Sequence, residues 1–312
     1  MNKIYLGVDI GGTAVKIGLV DETGKILSTN QYSVSFDQYH TPILETVLKS
    51  TDLFLNSNKI STKDLSGIGI SATGQIDTKQ GIVTGSGGNL KNWEGINLKK
   101  AFSDQYHIPV TVVNDANCVA LGEKWIGSAK DASNAIVLTI GTGLGGGIII
   151  NNQILLGQFG YGGEIGHFSI NNQGLPCTCG NAGCFEQYAS MTALVKSVTT
   201  YYKTKDPNYL AHHLINGKTI FESMANGDSD IIKIVNAWIH DISTGIVSLV
   251  HIFNPELVVI GGGVSIQEEL FISKLRGEVI QHVMPNFRNS LKLNAACLGN
   301  NAGLVGAVYY LK

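Results

Sequence analysis

The chain has 312 residues, 44% of them hydrophobic and 15% charged, with a formal net charge of −2. That length suits two domains better than one core, and the composition excludes a disordered or fibrous chain. The slightly acidic balance implies no basic face for nucleic acid, so no nucleic-acid partner is expected.

In chain order, Lys3–Ile10 reads as a buried strand, too soon interrupted by Asp9 for the apolar core of a secretory leader. Val15–Asp21 and Ile26–Val34 are further strands, joined by the turn Glu22-Thr23-Gly24-Lys25, so an antiparallel meander is expected. Pro42 opens a helix whose apolar positions are Ile43, Val47, Leu48, Phe54 and Leu55. Short strands at Ile68–Ser71 and Val110–Val113 end in Ala72-Thr73-Gly74 and Asn114-Asp115, and Ala116–Trp125 follows as a helix. Residues 132–163 carry no charge, yet the apolar part is broken by glycines and falls short of the ~20 residues of a membrane span. Ile136–Ile140 is read as a strand, and Ile148–Leu156 as a hairpin turned at Asn151-Asn152. Further on, Ile234, Trp238, Ile242, Ile246, Leu249 and Phe253 mark a helical stripe that Asn254-Pro255 ends. Leu257–Ile260 is a strand, and Ala302–Leu311 a closing helix.

Glycine is over-represented, at 38 residues, and clusters in short loops. Asp9-Ile10-Gly11-Gly12-Thr13-Ala14-Val15-Lys16 closes the first strand with bare backbone N–H groups, a hydroxyl and a cation, a nest suited to phosphate oxygens. A plain hairpin turn is the competing reading. Gly141-Thr142-Gly143-Leu144-Gly145-Gly146 contains the spacing of a dinucleotide fingerprint, but strand follows it where the fingerprint needs a helix. A third loop, Gly261-Gly262-Gly263-Val264, serves either nucleotide approach or packing. Asp115, between a strand and a helix, is either an N-cap or a general base.

The densest chemistry lies between Gly163 and Glu186. Cys177, Cys179 and Cys184 fall within eight residues, with His167 ten before the first, a set that can close a zinc tetrahedron. Gly180 and Gly183 allow the loop to turn the sulfurs toward one point. Glu164 and Glu186 flank these ligands. With only five cysteines in all, a reducing, cytoplasmic setting is expected, and Cys118 and Cys297 are expected to be buried small residues.

The order G-E-x-G-H followed by C-x-C-G-x-x-G-C-x-E resembles the signature of the ROK family of sugar kinases and sugar-responsive repressors. The resemblance extends over the chain and implies an α/β fold of two actin-like ATPase (ribonuclease H-like) domains around a central cleft. Their expected extents are 1–116 rejoined by 298–312, and 117–297. It implies an ATP-dependent hexose kinase with Mg²⁺ and a structural Zn²⁺ held by His167, Cys177, Cys179 and Cys184. Asp115 would be the catalytic base. Asn89, Asn114, Glu164, His167 and Glu186 would bind the sugar. Asp9, Gly11, Gly12, Thr13, Lys16, Gly141, Thr142, Gly143, Gly145, Gly261, Gly262 and Gly263 would line the ATP site, with Asp9 near Mg²⁺. Glucose phosphorylated at O6 is the expected reaction, with N-acetylmannosamine and β-glucosides as alternatives, and a homodimer is expected. Repressors of this type carry a helix-turn-helix ahead of the Asp-Gly-Gly loop; only eight residues precede Asp9, so a DNA-binding repressor is not expected, and a non-DNA-binding sugar sensor without turnover is the alternative from another class.

Overall fold

Two apolar runs and a third, largely polar one, separated by tight turns, open the fold as strands β1 (Ile4–Ile10), β2 (Ala14–Asp21) and β3 (Ile26–Ser33). The computed structural model describes residues 3–35, 37–86, 90, 92–206 and 208–312. Helix α1 (Ile43–Ser57) follows, then β4 (Leu65–Ala72), the small pair β5 (Gln75–Asp77) and β6 (Ile82–Gly85), and α2 (Leu98–Tyr106). Strand β7 (Val110–Asn114) runs directly into α3 (Asp115–Trp125). After them come β8 (Ala135–Ile140), β9 (Leu144–Ile150), β10 (Gln153–Ile154), α4 (Glu186–Ala189) and α5 (Met191–Lys205). The rest is largely helical: α6 (Tyr209–His212), α7 (Gly217–Ala225) and the long α8 (Ser229–Phe253). The chain closes with β11 (Leu257–Gly261), α9 (Ser273–His282), α10 (Pro285–Arg288), β12 (Lys292–Ala295) and α11 (Ala302–Leu311).

One compact unit comprises residues 1–131, 147–163 and 300–312, and the other residues 132–146 and 164–299. The sheet of the first unit has the order β3-β2-β1-β4-β7. The meander β1-β2-β3 is antiparallel, as the sequence suggests, whereas β4 and β7 add in parallel. One face packs on α1 and α2 through Val47, Phe54 and Phe102, all buried against Leu6, Val8 and Ile10. On the other face lies α11, whose Leu304 and Val308 cluster with Tyr5 and Val20. A Cβ at Gly69 of β4 would stand 2.2 Å from the carbonyl oxygen of Ala307, so glycine is what lets α11 lie this close.

The expected boundary after Ala116 differs from these units. Helix α3 lies along α11 so tightly that a Cβ on Gly306 would come within 1.7 Å of the Cys118 carbonyl oxygen. Residues 117–131 therefore belong with the first unit, as does the stretch 147–163.

The second sheet has the order β10-β9-β8-β11-β12, with β8, β11 and β12 parallel. The β9–β10 hairpin turns where Asn151 and Asn152 both take positive φ, the pair that a two-residue type I′ turn demands. The α8 stripe is buried at Trp238, Ile242, Ile246 and Leu249, with Ile234 and Phe253 only half-buried at its ends. Cys118 is buried, but Cys297 is exposed, contrary to the expectation for it. Among the described residues, no helix is long and apolar enough to cross a membrane.

Candidate functional site

In the first unit, the register of the parallel strands brings the candidate acids to one end of the sheet. Asp9 pairs with Ser71 across β1–β4, and Ser71 with Val113 across β4–β7, one residue before Asn114. Two strand spacings of about 4.8 Å separate Asp9 from the β7 end, so the two lie about 10 Å apart. The carboxyl ends of parallel strands are where open α/β sheets bind ligands.

Asp9 accepts a 2.6 Å hydrogen bond from the Ser71 hydroxyl. Burial pushes its carboxyl pKa up, against the lowering effect of Ser71 and of Lys16. A buried carboxylate with too little compensating charge suits a cation. Ser71 was not singled out from sequence, although a fully buried hydroxyl at the end of an apolar strand is a readable sign of a polar partner. Lys16 Nζ is engaged by the carbonyl oxygen of Asn300, and also approaches Asn301 Oδ1 at 3.4 Å. It is thus tied to the segment leading into α11. The loop between them is tight, with Gly11 N–H on Ala14 O at 3.0 Å, and Tyr39 donates its hydroxyl to Gly12 O at 2.6 Å.

At the β7–α3 junction the cap is Asn114, whose Oδ1 accepts from Asn117 N–H at 3.1 Å. Asp115 is the first helical residue; its Oδ1 accepts from Ala116 N–H at 2.8 Å and from Asn114 Nδ2 at 3.0 Å. The same Asn114 amide donates to Gly74 O at 2.9 Å. Both of its hydrogens are therefore used within the chain, which leaves it orienting Asp115 and offering a ligand no donor. The Thr73-Gly74 turn is held from its other side by Trp93, buried, with Nε1–H on Thr73 O at 2.9 Å. Asn89 and Gly88 lie outside the described residues.

In the second unit, His167, Cys177, Cys179 and Cys184 each offer one ligand atom, all within 4.8 Å of one another. Cys177 Sγ is 3.7 Å from His167 Nδ1, and Cys179 Sγ 3.5 Å from Cys184 Sγ. Metal–sulfur bonds of about 2.3 Å give tetrahedral edges of roughly 3.7 Å, so this donor set fits zinc with little adjustment. A disulfide would need about 2.05 Å. Burial raises the Cys177 thiol, but hydrogen bonds from the Cys179 backbone, the neighbouring thiols and His167 outweigh it and bring the pKa down to about 7. Cys184 is pushed up to about 12 by burial and by those same thiols. A second thiolate beside the first is costly without a cation, which is the demand that a bound dication meets. Gln187 Nε2 donates to Cys177 Sγ at 3.6 Å from outside the set. Gly180 and Gly183 both take positive φ, and a Cβ at Gly183 would meet Asn171 O at 1.7 Å.

The zinc stretch and the second glycine loop touch through Glu186. Its Oε2 accepts from Leu144 N–H at 2.9 Å, and a Cβ at Gly143 would lie 2.4 Å from that oxygen. The loop is further held by Met191 N–H on Gly141 O at 2.9 Å and by Thr192 Oγ1 on Thr142 O at 2.7 Å. Glu164 lies nearby: the surrounding protein raises its pKa, Glu186 adds to the rise, and His167 opposes it. Gly145 falls inside β9 instead of the loop, and Gly261 is the last residue of β11. Gly262, at φ +91°, is forced by the fold, because a Cβ there would strike Ile140 O at 2.0 Å.

Other loop glycines are not forced by the fold. A Cβ would meet nothing within 4 Å at Gly141 or Gly263, only Leu90 Cδ2 at 3.4 Å at Gly12, and only Ala14 O at 3.4 Å at Gly11. None of the four has positive φ. Among the described residues nothing in the packing demands a bare backbone at these positions.

Comparison with known proteins identifies the family and the fold. The sequence profile of the ROK family matches residues 5–312. The glucokinase of Thermotoga maritima is 33% identical, over 100% of this chain and 98% of that protein. A xylose repressor of Bacillus spizizenii is 32% identical, over 96% of this chain and 75% of the repressor. Among solved structures, a ROK family glucokinase from Streptomyces griseus in complex with glucose and AMPPNP superposes with a TM-score of 0.81 at 34% identity, covering 97% of both chains.

Proposed function

The chain belongs to the ROK family and has the actin-like ATPase fold of its sugar kinases; on that premise we propose that it transfers the γ-phosphoryl group of ATP to a hexose hydroxyl, O6 of glucose. The observation that carries the reading is the set of glycines at 11, 12, 141 and 263, which the described chain itself does not need. They lie in short loops of the kind that can turn backbone N–H groups toward an anion of several oxygens.

In this reading the 11–13 and 141–143 backbones hold the phosphates, and Gly261, Gly262 and Gly263 face the adenosine. Asp115 accepts the proton of the acceptor hydroxyl while the oxygen of that hydroxyl attacks the γ-phosphorus. The bond from that phosphorus to the β,γ-bridging oxygen breaks, and ADP leaves with the electron pair. Asn114 fixes the Asp115 carboxylate, which narrows the direct sugar contact expected of it. Asn89, Glu164 and Glu186 bind sugar hydroxyls. His167 has Nδ1 on the sulfur side, so Nε2 is left as the donor toward the sugar. Asp9 would hold Mg²⁺, which when bound neutralises phosphate charge. The Cys3His set would hold Zn²⁺ and fix the loop that carries Glu164 and Glu186.

A second reading, a sugar-responsive regulator without turnover, is favoured by the likeness to a xylose repressor. A coupled ADP-release assay over glucose, mannose, N-acetylmannosamine and a β-glucoside separates the two. Turnover with one hexose supports the kinase, and glucose is the expected acceptor. Calorimetric sugar binding with no ADP release from any hexose would transfer the protein to the regulator class.

A further inference from the structure

Far from these loops in sequence, α8 and α9 bring a second group of metal-ligating side chains together on the surface of the second unit. Glu278 and His282 lie four residues apart on α9, hence on one face of it, and His240 of α8 meets them. His240 Nδ1 is 2.8 Å from Glu278 Oε1, and His282 Nδ1 is 3.8 Å from the same oxygen. The two imidazole rings sit 5.6 Å apart, nearly perpendicular. One ligand atom from each of the three residues lies within 4.8 Å of the other two. The side chains remain 58%, 31% and 43% exposed for His240, Glu278 and His282.

We propose that His240, Glu278 and His282 form a second, labile site for a divalent transition cation, of which zinc is the representative, and that the ion clamps α9 to α8. Two imidazoles and one carboxylate are a ligand set that zinc accepts while keeping an open position for water. Imidazole selects zinc, nickel or copper over magnesium and calcium. The His282 ring is tethered to its own helix, with Nδ1 donating to the Glu278 carbonyl oxygen at 2.7 Å, and in that tautomer Nε2 carries the lone pair that a metal needs. Bonds of about 2.1 Å to each donor require edges of about 3.4 Å, so the His240–Glu278 hydrogen bond must open by about half an ångström and His282 must turn inward. Half-exposed side chains make such moves at small cost. Exposure and only three protein ligands make the site weaker than the Cys3His set, so its occupancy follows the free metal concentration.

The test uses untagged full-length protein dialysed against buffered zinc, with metal content measured by elemental analysis. Two equivalents per chain are expected at tens of micromolar free zinc, and one in the double variant His240→Ala with His282→Ala. Cys179→Ser should lose the tight equivalent and keep the labile one. Cobalt gives an independent readout: thiolate charge-transfer absorption from the first site, and d–d bands without it from the second. At about ten times its dissociation constant, zinc should raise the wild-type melting temperature by roughly 3 °C and leave the double variant unchanged. Equal zinc content in wild type and double variant, or a cobalt spectrum with thiolate features only, overturns the proposal. The readouts do not depend on kinase turnover, so they stand apart from the assigned reaction.

Discussion

Replacing Gly12 by alanine tests whether the first loop is shaped for a ligand or for the fold. The added Cβ meets only Leu90 Cδ2 at 3.4 Å among the described residues, and the backbone there does not have positive φ. Folding should therefore be undisturbed, and the lost freedom of the unfolded chain should stabilise the protein by about 0.4–1 kcal/mol. ATP should suffer, because the methyl group occupies the space through which a phosphate reaches the backbone. Losing one charge-assisted hydrogen bond costs about 1.5–3 kcal/mol, which at ~1.4 kcal/mol per decade is about 10–150-fold in KM for ATP. The KM for sugar should stay within about threefold. Gly143→Ala serves as the contrast, because its Cβ at 2.4 Å displaces Glu186 Oε2 and strands Leu144 N–H. That variant should melt earlier, by about 1–3 kcal/mol of lost stability, and lose affinity for both substrates. Steady-state kinetics over both substrates, with thermal melts of each variant, reads all of these quantities. A Gly12→Ala protein that melts earlier yet keeps a normal KM for ATP would refute the reasoning, since its glycine would then serve the fold.

Asp115→Asn keeps an oxygen for Ala116 N–H and the Asn114 amide, so sugar binding by calorimetry should stay within about tenfold while kcat falls about 10²–10⁴-fold. Near-normal kcat would reduce Asp115 to a helix-start residue. For Asp9, the folded-state pKa is raised by burial, so its contribution to stability is full below the ordinary carboxyl range and is lost as pH rises through the raised value. Asp9→Asn should accordingly melt higher than wild type at neutral pH, lose that advantage in acid, and lack turnover; a lower melting temperature at pH 7 would contradict the sign. Cys179→Ser should drop the tightly bound zinc from about one per chain and weaken sugar affinity. The Glu186–Leu144 hydrogen bond should pass part of that defect to ATP. Sugar affinity unchanged after verified loss of this zinc would end the coupling.

Much of the site was legible because its signals are local. The three cysteines and His167 converge within eighteen residues, and the positive-φ glycines between them turn the loop that gathers the sulfurs. The meander and the Asn151-Asn152 hairpin follow from turn chemistry at adjacent positions. Strand after Gly146 likewise excluded a dinucleotide fold, which requires a helix there. The roles assigned to sugar-binding and ATP-binding residues came from family resemblance, not from spacing.

What depends on distant register stayed hidden. Ser71 reaches Asp9 across 62 residues, because β1 and β4 pair in parallel with those two positions opposite. Glu186 reaches Leu144 across 42 residues, tying a glycine loop to the cysteine loop. Sequence treats Gly12 and Gly143 alike; only packing distinguishes a leucine methyl at 3.4 Å from a carboxylate at 2.4 Å. The cap at α3 fell to Asn114 and not Asp115, and α3 joined the first unit through its close contact with α11. Backbone turns are decided by residues a few positions apart, so sequence determined them. Which side chain neutralises a buried carboxylate, and which glycine faces empty space, are decided by how strands and helices from opposite ends of the chain pack, and only the tertiary structure contains that.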